Sequence, residues 1–246
     1  MEEKSFGFRF LSGNVLKIIA AICMTIDHIG YIFFPDLVVF RIVGRIAFPI
    51  FAYMIAEGCK YTKNKLKYFL TIFILAIGFQ IVYFIFENSF YMSVMVTFSI
   101  AILLVYALQY VKYECMATNR KIYKIILALL VFLALIVGVF ILNIYVKIDY
   151  GFFGCILPLL VSLFHYDGNN KLLKSLDNHL THVTMFFIGL ILLSLFSGNS
   201  VQIFCILSVL LVLMYSGKRG KYNMKYFFYI FYPAHLVVLY LIRLIV

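Results

Sequence analysis

Charge is scarce in this chain. Only 13% of its 246 residues are Asp, Glu, Lys or Arg, where a soluble domain has about 25%. In their place 65% of the chain is hydrophobic, with a mean hydropathy of +1.05. This excludes an ordinary soluble domain and places the chain among polytopic α-helical membrane proteins. The apolar segments do not alternate with polar residues, which argues against an outer-membrane barrel. Acidic residues are scarcest: 10 against 21 Lys and Arg, a net charge of +11. Cys23, Cys59, Cys115, Cys155 and Cys205 form no C-x-x-C and no metal spacing, so they read as small apolar packing residues. Tryptophan is absent, and the bias to Lys, Ile, Phe, Tyr and Asn matches an AT-rich bacterial genome. No internal repeat, linker, soluble domain or cleavable signal peptide is evident, so a single membrane domain over 1–246 is expected.

Nine apolar segments have the length or composition of membrane spans: 15–34, 38–58, 66–86, 92–111, 122–146, 151–165, 180–197, 200–216 and 226–246. Most reach the ~20 residues that a spanning helix needs. The sixth is short and contains Pro158. The cations alternate with these segments. Lys4, Arg9, Lys60, Lys63, Lys65, Lys67, Lys112, Arg120, Lys121, Lys124, Lys171, Lys174, Lys218, Arg219, Lys221 and Lys225 all fall in every second connection. The other loops are nearly bare, with only Lys147 between the fifth and sixth segments. The positive-inside rule then predicts about nine transmembrane helices, a cytoplasmic N-terminus and an external C-terminus. The basic loops also suit anionic lipid. Nucleic acid is not an expected partner, because no basic face on a folded module is visible.

Against this background the first two segments are anomalous. Between Val15 and Cys59 lie Lys17, Asp27, His28, Arg41, Arg45 and Glu57. An ionisable group at membrane depth costs several kcal/mol unless it is paired, hydrated or turned to the protein interior. Lys17 and His28 are eleven positions apart, about 20° from whole turns, and so share a helix face. They are separated by ~16 Å along the axis. Lys17 alone reads equally as a snorkelling anchor. His28 has the free pKa of a proton-transfer group. Asp27 points about 100° away from His28 and is expected to meet Arg41 or Arg45. Arg41 and Arg45, at i and i+4, repel one another unless a carboxylate or a bound anion lies between them. In the last segment Pro233 predicts a kink or a late start, and Tyr232 and His235 point the same way. Glu57, at the inner end of the second span, reads as a helix-end charge or a substrate contact. His165, His179 and His182 lie near a cytoplasmic loop with no pattern that demands a metal.

The segments LKIIAAICMTIDHIGYIFF, RIVGRIAFPIFAYMIAEGCKYTKNKLKY, IDYGFFGCILPLL and FYIFYPAHLVVLYLI resemble the TraX family of bacterial membrane proteins, named for the F-pilin acetylase of conjugation systems. That family resembles a larger group of multi-span acyltransferases, which carry a basic residue, ten others and then a His in the first helix. Here the matching positions are Lys17 and His28. The resemblance implies a membrane acyltransferase of the bacterial cytoplasmic membrane. Its donor would be acetyl-CoA or another acyl-CoA, with no metal. Its acceptor would be a hydroxyl or amine of pilin, a glycan, a peptide or a lipid head group. It assigns the catalytic base to His28, leaves Lys17 as a structural or cofactor-side residue, and implies that Arg41 and Arg45 stand near the acyl-CoA. The residues themselves add Asp27 beside His28 to the catalytic set, and Glu57, Tyr232 and His235 to Lys17, Arg41 and Arg45 as expected substrate contacts. Acyl transfer needs a base for the acceptor and donors for the oxyanion. A proton-coupled transporter or flippase of an anionic solute, and a scaffold whose ion pairs only fix packing, remain as competing readings.

Overall fold

The structure is a computed structural model that describes residues 8–87, 91–116, 121–166, 168 and 170–245. Lys4 and Arg120, two of the loop cations, lie outside the described residues. The order is α1 (Gly13–Phe33), α2 (Val38–Gly44), α3 (Ala47–Tyr61), α4 (Lys65–Glu87), α5 (Val94–Met116), α6 (Ile122–Tyr145) and α7 (Gly151–Val161). Then come α8 (Lys171–Leu176), α9 (His179–Phe196), a 3-10 stretch at Ser200–Leu207, α10 (Ser208–Leu213) and α11 (Lys225–Ile245). Among the described residues, six helical stretches are long and apolar enough to cross a membrane: Gly13–Phe33, Val38–Tyr61, Val94–Met116, Ile122–Tyr145, His179–Phe196 and Tyr226–Ile245. Gly151–Phe164 and Ser200–Leu213 are apolar but shorter. The protein is therefore a multi-pass helical membrane protein.

Six stretches fall short of the nine predicted spans: segment 66–86 is helical as α4 but is not among the six, and the sixth, 151–165, is one of the shorter helices. Two further spans differ in detail. The second is interrupted at Arg45 and Ile46, between α2 and α3. Pro49 explains the break: its ring would clash with the Arg45 carbonyl and it offers no N–H in return. The proline is tolerated because it falls in the first turn of α3, where amide donors have no helical partner. The eighth is a 3-10 stretch followed by α10, with the Asn199 side chain accepting from the Val201 amide at its start (3.0 Å). Conversely, Pro233 neither delays nor ends the last helix, which begins at Lys225 and runs through it.

The chain forms two compact units, Met1–Met54 with Leu190–Val246, and Ile55–Gly189. Both divisions fall inside helices rather than in linkers. In the first unit α1 packs against α2 and α11. Ser12 caps α1, accepting from the Val15 amide (3.4 Å). The Leu11 amide donates to the Met214 carbonyl (2.9 Å), the Ser216 amide returns to the Leu11 carbonyl (2.8 Å), and Asn14 donates to the Tyr222 carbonyl (2.7 Å). These bonds hold the start of α1 beside the segment that leads into α11. Lys17 lies over the Phe228 ring, and His28 meets His235. Sequence position rises together on both helices, so α1 and α11 run in the same direction.

In the second unit α5 is the hub, packed against α4, α6 and α7. By contrast α6 is apolar all round and only 6% buried over its best window, the pattern of a helix whose remaining surface faces lipid. The turn into α7 is left-handed at Tyr150 (φ 59°) and Gly151 (φ 58°). Thr97 fastens it by donating to the Asp149 carbonyl (2.7 Å).

Close helix packing in the first unit depends on two glycines. A Cβ at Gly30 would overlap Phe40, and one at Gly44 would overlap the Cα-proximal atoms of Asp27. A Cβ at Gly78 on α4 would meet nothing within 4 Å. Gly30→Ala and Gly44→Ala should each destabilise by about 1–3 kcal/mol through overpacking. Gly78→Ala should be neutral or stabilising by up to about 1 kcal/mol from helix propensity alone. Thermal unfolding of purified variants in one detergent measures both signs.

Candidate functional site

The first unit gathers most of the polar residues that the sequence singles out. Its centre is a pair of imidazoles, His28 Nδ1 and His235 Nε2, 2.8 Å apart. The rings stack with centroids at 5.0 Å. His28 is half-buried and His235 is buried. His235 Nδ1 lies 3.0 Å from the Phe231 carbonyl. That partner is only an acceptor, so Nδ1 of His235 carries the hydrogen. Neutral His235 then presents a lone pair at Nε2, and His28 must donate to it from Nδ1. This relay leaves the lone pair of His28 on Nε2, which has no hydrogen-bond partner among the described residues. The geometry therefore leaves one ring nitrogen of His28 unshared, with its tautomer fixed by the relay.

Aromatic rings wall the pair. Phe231 stacks on His235 at 5.3 Å, and Tyr232 meets it edge-on at 5.9 Å. Tyr232 also contacts Phe51 (6.3 Å). Lys17 is 5.9 Å from the Phe228 ring centroid, so the cation on the His28 side of α1 faces α11.

Asp27 does pair with an arginine of the next helix. Arg41 Nη1 lies 3.0 Å from Asp27 Oδ2, and the guanidinium also rests over Tyr31 (5.6 Å). The other carboxylate oxygen, Oδ1, is buried against Gly44 with no hydrogen-bond partner. Arg45 points elsewhere. It is 8% exposed and donates from Nη1 to Gln202 Oε1 (3.3 Å). Arg45 Nε and Gln202 Nε2 are buried donors without an acceptor. Two orphaned donors beside a buried cation are costly and are the chemistry that an anion or a carbonyl oxygen would satisfy. Gln202 was not singled out from the sequence, although a lone amide in an apolar run was the signal available.

Glu57 belongs to the second unit, where its Oε1 lies 3.9 Å from His165 Nε2. His165 in turn meets the His182 ring, and His182 and Lys60 both contact Asp177. Lys60 Nζ donates to both oxygens of Asp177 (2.9 and 3.2 Å), and the Tyr166 amide donates to Oδ2 (3.2 Å). Burial alone would raise the Asp177 carboxyl, but the Lys60 and His182 hydrogen bonds, the Lys60 charge and the Tyr166 amide outweigh it. The group is held below the usual carboxylate range.

A helical membrane bundle with an imidazole pair, a buried arginine and an Asp–Arg pair in its first unit is the class defined so far. The chain belongs to the TraX protein family, whose model matches residues 12–243. Over 40 residues it is 52% identical to an uncharacterized protein of Rickettsia prowazekii (strain Madrid E), a stretch that covers 16% of this chain and 16% of that protein. No solved structure matches.

The observed pairing identifies Arg41, rather than Arg45, as the residue whose loss strands Asp27. Arg41→Gln should destabilise by about 1–3 kcal/mol, because the pair is only partly exposed and the carboxylate would remain. Asp27→Asn with Arg41→Gln should recover much of that loss. The double-mutant cycle, read from thermal unfolding, should give a coupling of about 0.5–3 kcal/mol.

Proposed function

We propose that this protein is a membrane acyltransferase, most simply an acetyltransferase, with His28 as its general base. The single observation that carries this reading is the relay from the Phe231 carbonyl through His235 to His28. It presents a lone pair at His28 Nε2. Membership of a family named for an F-pilin acetylase supports the choice of acyl transfer over other proton chemistry.

In this reading His28 Nε2 takes the proton from an acceptor hydroxyl or amine. The acceptor oxygen or nitrogen bonds to the acyl carbon of the thioester, and the carbonyl oxygen becomes an oxyanion. Arg45 Nε and Gln202 Nε2 are the donors offered to it. The carbon–sulfur bond then breaks, and the proton held by His28 goes to the leaving thiolate, giving free CoA. His235 is a positioning residue, keeping the His28 tautomer fixed as His28 gains and loses its second proton. Lys17 and the loop cations suit the phosphates of CoA. The acceptor is a pilin, glycan, peptide or lipid head group.

The same reading requires the donor and acceptor to approach from opposite membrane faces. We propose nine crossings of the bacterial plasma membrane with the N-terminus cytoplasmic. The alternation of basic loops supports this. So does the common direction of α1 and α11, because a first and a last crossing run parallel only when the total is odd.

Three outcomes test these statements. A topology reporter fused after Val246 should read as external and one fused at Gly217 as cytoplasmic; a cytoplasmic C-terminus would remove the nine-crossing arrangement. Acetyl-CoA should raise the melting temperature of the purified protein, and dephospho-CoA should do so less. A shift with a simple organic anion but with no CoA ester would favour an anion transporter built on Arg45 and Gln202. His28→Ala should lower transfer by about 10²–10⁴-fold while leaving CoA binding largely intact. His235→Ala should also impair transfer, and His235→Gln should restore part of it, because an amide oxygen can accept from His28 Nδ1. An unimpaired His28→Ala protein would end the assignment of the base.

A further inference from the structure

The second unit holds a cluster whose hydrogen bonds do not balance. His182 Nδ1 lies 3.1 Å from the Val161 carbonyl, and its Nε2 lies 2.7 Å from Asp177 Oδ1. Both partners are acceptors, whereas a neutral imidazole has one N–H. His165 has the opposite defect. It is 8% exposed, yet neither ring nitrogen has a hydrogen-bond partner among the described residues. The two rings meet edge-on with centroids 4.4 Å apart. One ligating atom from each of His165, Asp177 and His182 lies within 4.8 Å of the others.

A second proton on His182 would satisfy His182 and Asp177, but it would leave His165 buried with both nitrogens unused. A divalent metal ion corrects all three. His182 Nδ1–H donates to the Val161 carbonyl, which turns the Nε2 lone pair to the metal. This backbone contact is the usual support of a metal-bound imidazole. Asp177 is partly prepared: the Tyr166 amide holds its Oδ2, and Lys60 is shared between Oδ1 (2.9 Å) and Oδ2 (3.2 Å), so Oδ1 reaches an ion once Lys60 shifts to Oδ2. A ring nitrogen of His165 completes the set.

We propose that His165, Asp177 and His182 bind a divalent transition-metal ion, of which Zn²⁺ fits the donor set best, with one coordination position left open. Two imidazoles and a carboxylate are borderline ligands suited to Zn²⁺ and poorly suited to Ca²⁺ or Mg²⁺. Metal–ligand bonds of about 2.0–2.2 Å place tetrahedral donors about 3.3 Å apart. The three ligand atoms, all within 4.8 Å of one another, would move to that spacing, with the His182–Asp177 hydrogen bond opening to admit the ion. Glu57, 3.9 Å from His165 Nε2, adds negative charge. Lys60 opposes the ion, as does Lys112, whose Nζ donates to the carbonyls of Ser162, Leu163 and His165. Both amines already have acceptors, Lys60 on Asp177 and Lys112 on three carbonyls, and their charges lower the affinity. The inference departs from the sequence-based expectation that these histidines need no metal, and it does not depend on the acyltransferase reading.

The test is metal retention by the full chain in detergent, loaded with Zn²⁺, desalted into metal-free buffer and analysed by inductively coupled plasma mass spectrometry. About one equivalent should remain on the unaltered protein. His165→Asn and Asp177→Asn should each weaken retention by about tenfold or more. His179→Asn, outside the cluster, should retain the metal as the unaltered protein does. Should the ligand variants misfold, Co²⁺ added to the unaltered protein provides a second measurement. Intense visible bands of four-coordinate Co²⁺, abolished by Zn²⁺, are expected. An unaltered protein that retains no Zn²⁺ and shows only the weak spectrum of hydrated Co²⁺ would overturn the site, as would undiminished retention by a folded His165→Asn protein.

Discussion

Water is not available to a polar side chain in the hydrocarbon layer, and this constraint governs where every unusual residue of the protein lies. Groups that would be solvated at a soluble surface must find partners within the bundle. His28 finds His235, and Asp27 finds Arg41. Arg45 finds Gln202 only in part. The first two contacts join different helices, so the cost of stranding a polar group also acts to fix helix order. The small residues Gly30 and Gly44 make that approach possible by allowing Phe40 and Asp27 to come close to backbone.

The helical class was legible because apolar runs of span length are a strong signal. Segments 122–146 and 180–197 correspond closely to α6 and α9. The break inside 38–58 was less visible, because hydropathy does not register the clash between Pro49 and the Arg45 carbonyl. The short helix α8 was hidden in a polar connection, although Asn170 supplies its cap. At the site, the His28 position on the Lys17 face and the Asp27–arginine pairing were readable from helix geometry. Which arginine was chosen was not, since both lie at i, i+4 on one face and only packing around Gly44 distinguishes them. The His28–His235 contact was beyond reach, because periodicity says which way a residue points and nothing about the helix that it meets 207 positions later. The grouping of His165, Asp177 and His182 was obscured for the same reason, with a short helix between the first residue and the others.

Charge also has different work in the two units. In the first, buried Arg45 has incomplete hydrogen bonding, and half-buried Arg41 has a carboxylate partner in Asp27. In the second, Lys60 is spent on Asp177 and Lys112 on three backbone carbonyls at the end of α7. Satisfied lysines of this kind stabilise loops and helix ends. An arginine with an unused donor is the feature that invites a ligand. The contrast distinguishes cations that hold the fold from those available for chemistry, where sequence composition registers only an excess of positive charge.

The relay between the first and last helices has a consequence for biosynthesis. A ribosome adds roughly 5–20 residues per second, so about 10–40 s pass between the synthesis of His28 and that of His235, 207 residues later. Throughout that interval α1 carries His28 without its eventual partner. The nascent first helix must therefore be sheltered by the insertion machinery, by the helices made after it or by water held at their surface. No nascent chain that stops short of His235 can contain the relay, and the His28 ring is oriented only as α11 enters beside α1.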